Sequence, residues 1–317
     1  MKEGAPMAYE AFCAAANVPA FNQPWWLDAV CGVGGWGAVV SSNHKEDAFA
    51  AWPYCKKSKW GLNLLLTAPL TPYMGIWRSP GYEDMPPAHQ FTFDRQAMPG
   101  LAKGLPPHAA QIQKLSPATW NWMPLSWEGY QAQLRYHFLV EGLSDEAGRY
   151  RQLNRSVKSA IKQGDKQLVL ERPASVSALA GLIAYTFDRQ GLQAPVTTEV
   201  LSRMAGAVAD HGTGQLLLAR HKDGTLHSGV YILHTQGISY AISAGNGPGS
   251  RASGAFPWLM WQAFRESAPY SHTFNFCGST MPNVAPLLNG FRARQVPYFE
   301  VYRARLPRAT PLLQYLI

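Results

Sequence analysis

The sequence predicts an α/β protein of two successive units, each a mixed, mostly antiparallel sheet flanked by helices. Three observations carry that reading. The chain has 317 residues, more than one ordinary core accommodates and suited to two domains of roughly 150 residues each. In the second half, strand-like and helix-like apolar periodicities follow one another in the order βααβββαβαβ, and the first half repeats a blurred version of that order. Short polar connections at Lys222–Thr225 and Thr235–Gly237 mark hairpins, so part of the sheet is antiparallel. The expected division is 1–142 and 143–317.

In the first unit, Pro24–Val30 reads as a helix. Trp36–Val40, Ala48–Tyr54 and Leu62–Thr67 read as strands, Phe93–Lys103 as a helix, and Ala110–Lys114 and Leu134–Val140 as further strands. The second unit opens with a helix whose basic residues Arg151, Arg155, Lys158, Lys162 and Lys166 share one face, beside a stripe of Tyr150, Leu153, Val157 and Ile161. Leu168–Glu171 is a strand. Ala174–Gln190 is a helix with Leu179, Leu182, Ile183 and Phe187 on one face, ended by Gly191. Thr197 or Thr198 caps a helix running to His211, where Gly212 stops it. Strands Gln215–Arg220, His227–His234 and Ile238–Ser243 follow. A glycine-rich turn leads into a helix over Gly254–Glu266, then a strand Thr273–Cys277, a helical stretch Asn283–Leu288 and a last strand Tyr298–Arg303.

Composition narrows the class. Hydrophobic residues at 47% and charged residues at 15% supply large cores and leave no segment polar enough to stay unfolded. Met1–Val18 lacks the basic head and apolar run of a secretory signal, and the longest apolar runs, such as Leu62–Leu70, are half a membrane span. The expected location is the cytoplasm. Cys13, Cys31, Cys55 and Cys277 show no C-x-x-C spacing and the histidines no H-x-x-x-H spacing, so neither a disulfide framework nor a metal site is expected. The net charge of +8 favours a polyanionic partner. Nine of the 11 tryptophans precede residue 130; core packing is the first reading of that load and a ligand-stacking groove the second.

Gly245-Asn-Gly-Pro-Gly-Ser-Arg-Ala-Ser-Gly-Ala255 has the layout of an anion cradle. Glycines let the backbone turn tightly, and the unpaired N–H groups of a helix's first turn, at the positive end of its dipole, face a negative group. A plain loop is the competing reading. The element order with this turn after the fourth strand resembles the GNAT acyltransferase fold, whose turn carries the pattern Q/R-x-x-G-x-G/A. Here Arg251-Ala-Ser-Gly254-Ala-Phe256 supplies the basic residue and the first glycine, while Phe256 stands at the last small position. The resemblance implies that Gly249, Ser250, Arg251, Ala252, Ser253, Gly254 and Ala255 bind the phosphate of a phosphorylated donor, acyl-CoA first. The matching stretch of the first half, Ala68–Trp77, is proline-rich and aromatic; that half is expected to shape the acceptor site.

Trp26-Leu-Asp-Ala-Val-Cys-Gly32 with Trp36-Gly37, Ala68–Tyr73, Thr186–Gly191 and Gln295–Phe299 resemble segments of the Fem family of peptidoglycan aminoacyltransferases and their bacterial relatives, across nearly the whole chain. No coiled-coil arm of the Fem type interrupts Leu168–Arg303. The resemblance implies an acyl or aminoacyl group moved to an amine acceptor. Acyl-CoA or aminoacyl-tRNA is the donor, the latter held by Arg151, Arg155, Lys158 and Lys162, and a cradle without catalysis is a third alternative. Tyr240, Asn275, Cys277 and Ser279 border the opening expected between the fourth and fifth strands. Asn275 and Cys277 stand where relatives often carry acids, and neither is a general base at neutral pH. Asp188 is the candidate base and Tyr298 the candidate general acid, with solvated carboxylate and core packing as their competing readings.

Overall fold

The computed structural model describes residues 5–42, 48–59, 61–278, 284–306 and Thr310. By internal contacts the chain divides into Met1–Arg135 with Pro297–Ile317, and Tyr136–Val296. The helices and strands in chain order are α1 (Ala5–Ala15), α2 (Pro24–Cys31), β1 (Trp36–Ser42), β2 (Ala48–Lys59), β3 (Leu62–Leu66), β4 (Trp77–Arg78), α3 (Pro87–Gly104), β5 (Ala110–Lys114), α4 (Met123–Trp127) and β6 (Gln131–Glu141). There follow α5 (Glu146–Gln152), α6 (Arg155–Gln167), β7 (Leu168–Glu171), α7 (Ser177–Asp188), α8 (Thr198–His211), β8 (Gly214–His221), β9 (Leu226–Thr235) and β10 (Ile238–Asn246). The chain closes with α9 (Ser250–Ser253), α10 (Ala255–Ser267), β11 (Thr273–Asn275), α11 (Ala285–Gly290) and β12 (Arg294–Ala304).

The first unit orders its strands β1-β2-β3-β5-β12, with the short β4 on β2. Only β3 and β5 run parallel among these pairs. Glu300–Ala304 pair with Ala110–Lys114, so the chain's last strand returns to the first unit instead of staying with the second, as the 143–317 division has it. Backbone pairing is non-local, and no property of the strand's own residues announces its partner. The core holds Trp52, Leu65, Phe93, Met98 and Leu101, while Trp26, also fully buried, donates its indole N–H to Thr71 Oγ1 at 2.9 Å. Packing therefore accounts for much of the tryptophan load, although Trp120 and Trp127 are exposed. Ala68–Trp77 is largely buried and bonded within this unit: Tyr73 O accepts from Asn22 Nδ2 at 2.9 Å.

The second unit orders its strands β6-β11-β10-β9-β8-β7. α10 packs with Trp258, Leu259, Ala263 and Phe264 on a core that includes Phe138, Val140, Leu217, Val230, Ile232 and Phe274, and α7 lies against β9 and β10. Thr197 caps α8, its Oγ1 accepting the Val200 N–H at 3.3 Å, and Gly212 ends it in the left-handed region. The one long basic helix read from the sequence is two helices. Leu153 is extended, and the Asn154 side chain accepts the Val157 N–H at 2.8 Å, an N-cap that starts α6 afresh. Arg151 thus belongs to α5, and Arg155, Lys158, Lys162 and Lys166 to α6.

Candidate active site

The turn between β10 and α10 is built by packing on three sides. At its entry, Asn246 N donates to Thr186 Oγ1 at 2.8 Å, while the Thr186 hydroxyl donates to Leu182 O at 2.7 Å within α7, which ties the end of α7 to the end of β10. Gly249 and Gly254 are both left-handed, at φ +74° and +68°, and bracket the four-residue α9. The turn therefore does not open directly into the long helix; a separate helical turn intervenes. A Cβ on Gly254 would stand 2.7 Å from Ala160 O on α6, and Gln163 Nε2 of the same helix donates to Ala252 O at 3.1 Å.

These contacts sort the seven nominated phosphate residues. Gly249, Arg251 and Ala252 are exposed and Ser250 is half-buried, so this segment carries the N–H groups that a first helical turn cannot satisfy internally. Ser253, Gly254 and Ala255 are buried in the packing and contribute shape. Phe256 packs against the core cluster beneath α10, which gives its bulk a place inside the unit.

Beside the turn the sheet forks. β10 and β11 run parallel for three residue pairs only, Ile238–Thr273, Ser239–Phe274 and Tyr240–Asn275, while β10 stays paired to β9 as far as Asn246. A bulge between Ala241 and Ser243 falls just past the last pair. Tyr240 and Asn275 thus face one another in register where the fork begins, both almost fully buried. Phe274 and Phe276 enter the α10 core; Asn275 lies on the opposite side by alternation.

Asn275 Oδ1 accepts the Cys277 N–H at 2.8 Å, so its amide stabilises the left-handed backbone at Cys277, φ +60°. Asp188 is exposed at the C-terminal end of α7. Tyr298 is buried on the part of β12 that belongs to the first unit. Ser279 lies outside the described residues. The structure brings Tyr240 and Asn275 together and leaves Asp188 in solvent.

Sequence spacing missed two groups. His137, fully buried on β6, follows the pairing that sets Phe276 N on Phe138 O at 3.0 Å, so register carries it alongside Cys277. Under the turn, His227 Nδ1 meets Ser253 Oγ at 2.7 Å and its Nε2 meets Thr225 Oγ1 at 3.0 Å, with His221 stacked at 4.8 Å. His221, Thr225 and His227 alternate along one hairpin, but Ser253 is 26 residues further on, so sequence spacing does not show that the ring reaches the turn. Among the described residues no group of three or more His, Cys, Asp or Glu could hold a metal ion, and no helix is long and apolar enough to cross a membrane.

Residues 147–282 match the family model described as Acetyltransferase (GNAT) domain. That segment contains the fork, the turn and α6. The crystal structure of FemX superposes with a TM-score of 0.65 at 11% identity, over 98% of each chain. The structure of L-PGS from Bacillus licheniformis gives 0.55 at 12% identity, over 100% of this chain and 98% of that one. A tandem GNAT protein from the clavulanic acid biosynthesis pathway gives 0.53 at 11% identity, over 95% and 94%. No curated protein sequence matches the chain. Residues 147–282 therefore match a GNAT domain, and the fold of the chain throughout is like that of the tandem, Fem-like structures.

Proposed function

We propose that the protein is an N-acyltransferase that moves an acyl or aminoacyl group from a phosphorylated donor, acyl-CoA, to an amine. The observation that carries this reading is the exposed N–H-bearing segment Gly249–Ala252 beside the fork that opens after Tyr240 and Asn275, both within the matched GNAT segment. The turn would hold the donor phosphate and the fork its acyl carbonyl. The amine nitrogen attacks that carbonyl, the new C–N bond forms as the C–S bond of the thioester breaks, and the amine's proton is released as the thiolate departs. We assign Asn275 a structural part in this site, because its amide is engaged with Cys277 and does not titrate.

A second reading, aminoacyl-tRNA as donor to a peptidoglycan precursor, is favoured by α6. Its exposed Arg155, Lys162 and Lys166 extend along a helix that touches the turn through Ala160 and Gln163. Calorimetric titration with acetyl-CoA and with charged tRNA separates the readings. Acetyl-CoA binding that falls at least tenfold in Arg251→Glu and Ala252→Asp, with turnover against a panel of amines, is the expected result. Binding of tRNA alone with a steep salt dependence overturns it in favour of the second reading, and donor binding without turnover favours a non-catalytic protein.

A further inference from the structure

On the reading of the β10–α10 turn as the donor-phosphate site, we infer that a hydrogen-bond relay from Asp223 through Thr225 and His227 to Ser253 holds that turn in its binding conformation, with His227 as the positioning residue.

The direction of each proton in the relay follows from the chemistry of its members. Thr225 donates to Asp223 Oδ1 twice, from its backbone N–H at 2.8 Å and its hydroxyl at 2.7 Å. A hydroxyl has one proton, so Thr225 Oγ1 can only accept at its 3.0 Å contact with His227 Nε2. Nε2 therefore carries the ring proton and Nδ1 is bare. Nδ1 in turn accepts from Ser253 Oγ at 2.7 Å, shorter than that hydroxyl's 3.3 Å distances to Gly249 O and Ser250 O.

His227 grips the turn on both sides of Gly249. Its carbonyl accepts the Gly247 N–H at 2.9 Å before that residue, and its imidazole takes the Ser253 hydroxyl after it. A Cβ on Gly249 would lie 3.0 Å from Nε2, so the glycine is also what lets the ring sit under the turn. The hold is needed because α9 has four residues, far below the length at which a helix persists by itself. Gln163 fastens it from the α6 side and His227 from the β9 side.

The titratable groups facing the ring are His221 from β8, stacked at 4.8 Å, and Asp223 from the β8–β9 turn. Burial first, then His221, keep the His227 pKa below the ordinary histidine value, with Asp223 opposing, so the ring is neutral near pH 7 and Nδ1 remains an acceptor. Ser253 is itself buried, which makes it a fastening and leaves Arg251 and Ala252 outermost to meet the ligand.

The test compares wild type, Ser253→Ala, His227→Gln and His227→Asn by amide hydrogen exchange over residues 250–256 and by calorimetric titration with coenzyme A. Asparagine places an acceptor oxygen near the position of Nδ1 and glutamine does not. Ser253→Ala and His227→Gln should exchange the Ser253 and Gly254 amides about tenfold faster and bind coenzyme A about tenfold more weakly, the fold-change expected for one lost buried hydrogen bond. His227→Asn should recover most of both. Equal behaviour of the Asn and Gln variants, or unchanged exchange in Ser253→Ala, overturns the relay. An exchange contrast in proteins none of which binds coenzyme A overturns the donor reading instead, and with it the positioning role.

Discussion

Replacing Gly254 by alanine tests whether the contact between α6 and the turn is as rigid as the backbone makes it. The residue sits at φ +68°, where an L side chain costs roughly 1–2 kcal/mol. Its Cβ would stand 2.7 Å from Ala160 O, 2.9 Å from Ala160 Cα and 3.0 Å from Ala160 Cβ. None of these atoms can rotate away, so relief requires helix movement, at roughly 1–3 kcal/mol for a core of ordinary stiffness. Loss of unfolded-chain entropy returns roughly 0.4–1 kcal/mol. The expected net loss is about 2–4 kcal/mol, read as a lowered urea midpoint at unchanged slope by far-UV circular dichroism. Gly181→Ala on α7 is the control: nothing lies within 4 Å of its Cβ and its φ is negative, so helix propensity alone should stabilise by about 0.5–1 kcal/mol. A Gly254→Ala protein within about 0.5 kcal/mol of wild type would refute the reasoning, because it would mean that α6 yields to the turn at no cost.

Stability should also depend on His234. Burial lowers its pKa to about 4 from an ordinary 6.5, and its Nδ1 lies 2.8 Å from Ser239 Oγ, whose own proton goes to Ser271 Oγ at 2.8 Å. A depressed histidine pKa stabilises the fold while the ring is neutral, above about pH 6.5. That contribution is lost as pH falls from 6.5 through about 4, and after discounting for solvent screening it amounts to about 2 kcal/mol. Urea midpoints at pH 7 and pH 4.5 should differ less in His234→Asn than in wild type; an equal difference would remove His234 as the cause. In the first unit, Asp94 accepts from Arg78 Nε at 2.9 Å and from Tyr82 Oη at 3.0 Å, with the two ion-pair side chains 7% and 2% exposed. Asp94→Ala leaves a buried guanidinium without its carboxylate and should cost about 3–5 kcal/mol by chemical denaturation, a loss that a surface ion pair would not produce.

Local structure was legible in the sequence to the extent that local residues dictate it. Leu168–Glu171 and Ala110–Lys114 are strands with the bounds their apolar pattern suggests, and Thr197 and Gly212 cap α8 because a hydroxyl and a left-handed glycine are what helix ends require. Asn154 shows the same logic overlooked: its side chain caps α6, so a continuous basic stripe became two helices. α1 carries little helical signal in its alanine-rich sequence, although Tyr9 and Phe12 are buried.

Periodicity, caps and turn chemistry act over a few residues, so the βααβββαβαβ order of the second unit apart from the short α9, the glycine-rich turn after its fourth strand and the resemblance to the GNAT fold were all legible in the sequence. Only the tertiary structure decided that β12 returns to β5, that Tyr240 meets Asn275 at the fork, and that His227 lies beneath Gly249 with its imidazole on Ser253. Strand register and helix docking depend on which distant backbone or side-chain groups satisfy one another, and that choice is made by the packed chain as a whole.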